Sequence, residues 1–367
     1  MKNRWLSFFL AKRDLATHLY VLSFVLFIVG VVLGGWFFVT MSASRSAAFF
    51  VDGEDEEVSV EEAVVPESIC EFSRFLDGVC VDSEEEQSVP VVAVMVENHV
   101  DARPLSGIAD AAIVYESPVE GNITRFMALF LRDSNIVKVG PVRSARPYYL
   151  DWLSEYPGAM YMHVGGSPEA LDRISQFGLF DMNEFYRGWY FWRDQHRYAP
   201  HNVYTSSNLW KTAWTDYGDT AASVQSTHWQ FSLQDECEVD CSPIISVSYQ
   251  GHVYGPTWMY TSSTGQYTRF ENGRTYRDEQ GNPIVVDTLV VQRVVSRVID
   301  DVGRLRMDTI GSGEAVVFRD GYATEGVWKK DSRESQTVFE DSDGKSIPLH
   351  PGKIWIQIAS PSTDVSY

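Results

Sequence analysis

The sequence predicts an α+β protein: an N-terminal membrane helix, a mixed α/β layer domain, and then a mainly antiparallel β domain. Three observations carry that prediction. Leu19 to Met41 is an uncharged run of 23 residues, enough to cross the hydrocarbon core with some tilt. Between residues 90 and 235, strand-like runs alternate with helix signals, as in layered α/β folds. From about residue 240 onward, short β-rich runs recur with turn residues between them. With 367 residues, 44% of them apolar, the chain is long enough for two cores and too hydrophobic to be wholly disordered.

The first element is the membrane span, residues 19–41. Lys2, Arg4, Lys12 and Arg13 precede it and only Arg45 follows closely. The positive-inside rule therefore places the tail 1–18 in the cytoplasm and residues 42–367 outside. A signal-peptide apolar region is about 7–15 residues long, which favours an uncleaved anchor. Ala43, Ser44 and Ala47 keep cleavage open as the alternative. No cysteine follows the span closely, which argues against lipidation of an N-terminal Cys.

Residues 42–89 read as an acidic extracytoplasmic linker. Residues 52–89 hold fourteen acids against Arg74 alone, and like charges repel and extend such a chain. Cys70 and Cys80, with Phe72, Phe75 and Leu76 between them, offer a small stapled turn; a solvated spacer is the simpler reading. Cys237 and Cys241 lie among Asp235, Glu236, Glu238 and Asp240, which disfavour a reactive thiolate. Four cysteines allow three connectivities, and two local bridges, Cys70 with Cys80 and Cys237 with Cys241, are the simplest. The Cys-x3-Cys spacing lacks a second thiol pair or nearby histidines for zinc, so no metal and no other cofactor is expected.

The α/β domain spans 90–235. Strands are predicted at 91–96, 112–115, 124–131 and 159–164, all rich in β-branched and aromatic residues. A helix is predicted over 145–155. A second, over 168–177, has Ser167 as its N-cap, Pro168 at its first position and Glu169 in its first turn. Residues 236–367 form the β-rich domain, a sandwich or rolled sheet, with hairpin signals at Asp320-Gly321 and Asp343-Gly344.

The net charge of −20 excludes an overall preference for nucleic acid or anionic lipid and leaves room for a local basic patch. Three constellations carry polar chemistry. The turn Gly140-Pro-Val-Arg-Ser-Ala-Arg-Pro147 puts Arg143 and Arg146 at a helix start, where an anion must neutralise them; Glu116, Glu120 or Asp151 is the internal alternative to a ligand. His163-Val-Gly-Gly-Ser-Pro168 is a second strand–turn–helix junction. The segment 189–201 gathers Trp189, Trp192, Asp194, Arg197 and His201, flat faces and forked donors suited to a sugar or anionic polymer, or else an aromatic core patch. No nucleophile elbow or Ser-His-Asp order is present. Glu116 and Glu120 are candidate acid and base for cleaving a wall polymer.

Several long runs resemble the YerB-like family of bacterial lipoprotein-type proteins (domain of unknown function 3048). They are VMVENHVDARPLSGIADAAIVYESPVEGNITRFMALF, VGPVRSARPYYLDW, MHVGGSPEAL and APHNVYTS, with a tail from Arg297 to Ile358 similar to the family's separate C-terminal domain. The resemblance covers roughly residues 90–360 and implies a two-domain, envelope-attached extracytoplasmic protein without implying an activity. Family members often carry a lipobox cysteine, in whose place this chain has a membrane span. Asn122 stands where the family's EGGITRF pattern has Gly, a change that a left-handed backbone tolerates. Carried position by position, the motif polar residues are Glu97, Asn98, Arg103, Glu116, Glu120, Arg125, Arg143, Arg146, His163, Asp194, Arg197 and His201.

The sequence thus points to a single-pass membrane protein whose outer domains bind an envelope glycan or anionic polymer. A wall-polymer hydrolase or transferase using Glu116 or Glu120 is the first rival, and a structural adaptor without ligand the second. One open cleft shared by Glu116, Arg143, Arg146 and His163 favours the first two readings. One-to-one internal pairs favour the adaptor.

Overall fold

The computed structural model describes residues 70–218, 228–234, 237, 241–249 and 254–367. The expected span 19–41 and the acidic tract up to residue 69 lie outside them. Among the described residues no helix is long and apolar enough to cross a membrane.

Hydrophobic β-branched runs form the strands Val91–Glu97 (β1), Ile113–Pro118 (β2), Thr124–Leu131 (β3), Met160–His163 (β4) and Phe180–Asn183 (β5). Their helices are Pro147–Leu153 (α1), Pro168–Gln176 (α2), Glu184–Arg187 (α3) and Ser207–Tyr217 (α4). The second half supplies Ile244–Ser248 (β6), Thr257–Thr261 (β7), Gln266–Glu271 (β8), Arg274–Thr275 (β9), Val285–Val286 (β10) and Thr288–Arg293 (β11). It ends with Gly311–Arg319 (β12), Tyr322–Lys330 (β13), Val338–Glu340 (β14), Ile354–Ala359 (β15) and Asp364–Ser366 (β16). The fold is mixed α/β with few helices and large sheets.

Ten strands make one sheet in the order β14-β13-β12-β11-β15-β2-β3-β1-β4-β5. Strand β15, near the C-terminus, lies parallel between β11 and β2. Where a sandwich or rolled sheet was expected of the C-terminal half, five of its strands extend the sheet begun by the first half. Strands β6 to β10 and β16 form a second, antiparallel sheet, β9-β8-β7-β6-β16, with β10 beside β8, and Ser296–Val298 pairs with Leu305–Met307 apart from both. Asp320-Gly321 does turn the β12–β13 hairpin, with φ of 52° and 85°, the primed geometry that matches strand twist.

Alternation along each strand divides the residues between two cores. Val92, Val94 and Val96 of β1 join Phe126, Leu289 and Trp355 against Trp258 and Tyr267 of the second sheet. Ala93 and Met95 face the other way, onto Tyr149 and Trp152 of α1. Helices α1 and α2 fall within the predicted ranges. Ser167 caps α2 by accepting the Ala170 N–H at 3.3 Å. Strand β5 and helix α4 were not anticipated; β5 is only four residues long and partly exposed.

The predicted linker is shorter than expected. Phe72–Ser73 pairs with Cys80–Val81, Cys70 is bridged to Cys80, and Leu76 is buried in the core beneath α1. Leu76, partly buried Phe75 on the same core and the Gly352 N–H donating to the Asp77 carbonyl at 2.9 Å together dock residues 70–81. Cys237 and Cys241 form the second local bridge.

Between the two sheets lies a sealed polar cluster. Arg269 of β8 donates to Glu116 of β2 through Nη1 to Oε2 at 2.5 Å and Nη2 to Oε1 at 3.1 Å, both side chains being fully buried. Thr124 Oγ1 donates to Glu116 Oε1 at 2.7 Å and Trp355 Nε1 to its Oε2 at 3.1 Å. Arg269 also reaches Glu271 at 2.6 Å, and the rings of Phe126, Trp258, Tyr276 and Trp355 surround its guanidinium. Burial disfavours the Arg269 cation, yet Glu116 and Glu271 more than offset this and hold its pKa above the ordinary arginine value. Removing one partner strands the other charge in the interior, so Glu116→Ala should lower the free energy of unfolding by about 3–5 kcal/mol. Urea denaturation checks this; a loss under about 1 kcal/mol would show that the pair is solvated.

Candidate functional site

Strands β1, β4 and β5 run parallel, and β3 is antiparallel to both β1 and β2. The carboxyl ends of β1, β2 and β4 and the start of β3 therefore meet at one edge of the sheet. In open α/β sheets this is the edge at which ligands bind.

The segment 140–147 is stitched along that edge by its backbone. Glu97 N–H donates to the Pro141 carbonyl at 2.9 Å, and Arg143 N–H to the Met95 carbonyl at 2.8 Å. Val142 N–H donates to Val203 at 2.7 Å and Ala145 N–H to Gly165 at 3.0 Å. Gly140 is required here: its φ is 143°, and a Cβ would stand 2.8 Å from the Val203 carbonyl. Gly165 has φ of 57°, and a Cβ would collide with the Phe185 ring at 2.6 Å. Asn183 completes the corner, its Oδ1 accepting the N–H groups of Gly165 and Phe185.

This frame brings three arginines together. Arg146 makes a two-pronged pair with Glu120, Nε to Oε1 at 2.7 Å and Nη2 to Oε2 at 2.8 Å. Arg143 Nε lies 3.1 Å from Glu97 Oε1, an ion pair without hydrogen-bond alignment. Arg125, opposite Glu97 in the β1–β3 register, is only 6% exposed. Among the described residues it forms no salt bridge, and its side chain donates to the Ser144 carbonyl at 2.7 Å. Burial, then the charges of Arg146 and Arg143, push its pKa down to about 10. For Glu120, burial raises the carboxyl pKa, but Arg146 outweighs it and the net shift is downward. Three guanidinium groups thus face two carboxylates.

The other predicted site residues divide between this edge and elsewhere. His163 is fully buried, with Nε2 2.7 Å from Asp181 Oδ1 and Nδ1 2.7 Å from the Gly165 carbonyl. His201 Nδ1 donates to Glu97 Oε2 at 2.9 Å. Asn98 points to the opposite face, donating to Thr124 and accepting from Arg103 and Tyr276. Arg103 also pairs with Glu271, so Asn98 and Glu116 belong to the cluster between the sheets and Arg103, partly exposed, lies at its rim. Asp194 holds Lys138 at 2.9 Å. Arg197 reaches the carbonyls of Ala102 and Pro104, both at 2.7 Å. Phe185, Tyr186 and Trp189, on and just after α3, are 65%, 74% and 62% exposed.

Sequence reasoning missed Arg269, Glu271 and Tyr276, the partners that seal Glu116 and Asn98. Their signal was faint: Tyr267, Arg269 and Glu271 share the inward phase of β8, which only the period-two pattern marks.

Against this geometry stand the likenesses to known proteins. Residues 76–219 match the N-terminal domain of a protein of unknown function, DUF3048, and residues 245–356 match its C-terminal domain. The chain belongs to the DUF3048, YerB-like family. It is 32% identical over 306 residues to "Putative lipoprotein YerB" of Bacillus subtilis strain 168, covering 82% of this chain and 90% of that protein. The crystal structure of the Bacillus subtilis YerB protein aligns with a TM-score of 0.71 at 29% identity, covering 81% of this chain and 100% of that one. Within the YerB-like pattern Asn122 takes φ of 58°, the left-handed backbone anticipated where the family has glycine.

A buried cation with no carboxylate partner costs stability. Arg125→Met should leave the free energy of unfolding unchanged or raise it, unlike Glu116→Ala. Urea denaturation of both variants checks the contrast; a loss above about 2 kcal/mol for Arg125→Met would mean that Arg125 is satisfied internally.

Proposed function

We propose that this chain is an envelope-associated extracytoplasmic binding protein whose arginine cluster captures an anionic glycan of the cell envelope. The observation that carries this reading is the charge imbalance at the sheet edge. Among the described residues, Arg143 and Arg146 pair with Glu97 and Glu120 while Arg125 has no ion pair, so an incoming phosphate or carboxylate would balance the third guanidinium. Arginine forks match such groups with two parallel donors.

The aromatic side chains support a sugar-bearing anion. Phe185 lies over Gly165, whose carbonyl accepts the Ala145 N–H within the arginine segment. Phe185 is exposed on that corner, and Tyr186 and Trp189, exposed as well, follow it closely in the chain. The YerB relative's name as a lipoprotein supports placement at the envelope. In this reading residues 19–41 tether the folded part to the outer face of the membrane, through the acidic tract that follows.

The hydrolase reading has less support. Glu116 is sealed between the sheets, and Glu120 is engaged on both oxygens by Arg146. The adaptor reading keeps one specific observation in its favour: Glu116, Arg143, Arg146 and His163 each have an internal partner.

Incubating the purified full chain with cell-wall material separates the three. Anionic-glycan binding predicts that wild-type protein is retained without releasing soluble sugar, that Arg125→Met abolishes retention, and that Phe185→Ala with Trp189→Ala weakens it. Release of soluble sugar, lost in Glu120→Gln, would instead establish the hydrolase. Folded wild-type protein that is neither retained nor active would leave the adaptor.

A further inference from the structure

Beside the arginine edge lies a group of side chains that the binding reading does not use. His99 caps the short turn Val100–Ala102 that follows β1. His201 sits 102 positions later in the chain, just before the short strand Val203–Tyr204. The two imidazoles stack with centroids 5.1 Å apart and planes inclined by 20°. One potential ligand atom from each of His99, Asp101 and His201 falls within 4.8 Å of the others. The hydrogen bonds from Arg197 to the Ala102 and Pro104 carbonyls hold the His201 loop against the His99 turn.

We propose that His99, Asp101 and His201 form a binding site for a divalent transition-metal ion. Two imidazoles and one carboxylate are a donor set suited to zinc and neighbouring first-row metals. Metal-bound histidines usually pass their second N–H to a carboxylate, which fixes the ring and its tautomer. His201 already has this arrangement: Nδ1 donates to Glu97 Oε2 at 2.9 Å, which leaves the Nε2 lone pair for a metal. Glu97 is steadied in turn by Arg143 at 3.1 Å.

Metal–ligand bonds of about 2.0–2.2 Å require the donors to draw slightly inward. Asp101 and His99 can do so, since their side chains are 70% and 29% exposed. On binding, the Asp101 carboxylate, now 3.5 Å from His99 Nδ1, exchanges that contact for the metal. Three protein ligands on an open surface leave further coordination positions to solvent or to a ligand oxygen. None of the three ligands serves in the glycan reading; only the supporting pair Glu97 and Arg143 is shared with the arginine edge, so metal binding can be read with no glycan present.

Zinc titration of the chelator-stripped full chain by calorimetry tests it, with no polymer present. One equivalent should bind to wild type, and His99→Ala or His201→Ala should weaken binding by at least about 100-fold. Glu97→Gln, which removes the carboxylate shared by His201 and Arg143 and none of the three ligands, should weaken it by about 10–100-fold. Cobalt(II) in place of zinc should give a visible absorption band that His201→Ala abolishes while circular dichroism remains native. No binding by wild type, or binding that survives both histidine substitutions, would overturn the site.

Discussion

The pairing of Glu116 with Arg269 is the constraint on which the architecture depends. It joins the ten-stranded sheet to the second sheet through two fully buried charges, with Trp355 donating from the last strand of the larger one. A buried pair of this kind is not a strong net stabiliser, because desolvation consumes much of the Coulomb attraction. Its effect is selective. Sliding one sheet over the other by a single residue would leave a carboxylate and a guanidinium unpaired in an apolar layer, so few alternative packings compete. Thr124, Asn98 and Tyr276 extend the same network toward the edge.

Because β-strands alternate faces, neighbours in sequence are assigned opposite tasks. Asn98 enters the sealed layer, while Glu97 stays on the far face with Arg143 and His201. Thr124 supports Glu116, while Arg125 lies among arginines. The motifs Glu97-Asn98 and Thr124-Arg125 thus each contain one residue that holds the sheets together and one that equips the edge. A constellation that looks like a single polar site in one dimension becomes two, separated by the thickness of a sheet.

That separation also explains how far the sequence could be read. Strands β1 to β4 of the first half were legible, since central strands buried on both faces appear as unbroken apolar runs such as residues 91–96. The helix at Pro168 was legible from Ser167 and the proline, and the β12–β13 hairpin from Asp320-Gly321. The placement of β15 was not, because parallel pairing between residues about 240 apart leaves no local signature. For the site, the arginines were visible as an excess near residues 140–147, but which carboxylates would reach them depended on strand phase. The meeting of His99 with His201 was beyond local spacing, being set by a loop held in place through Arg197.

The insertion of β15 between β11 and β2 bears on how the chain comes to be folded. Until residues 354–359 are available, β2 presents an unpaired row of backbone donors and acceptors, an edge that invites pairing with other chains. The apolar halves of the molecule must therefore wait for residues 354–359 before their sheet can close. Such dependence on distant contacts slows folding and ties the closure of β2 to the integrity of residues 354–359. A truncation near the C-terminus would thus act like a lesion at the centre of the sheet.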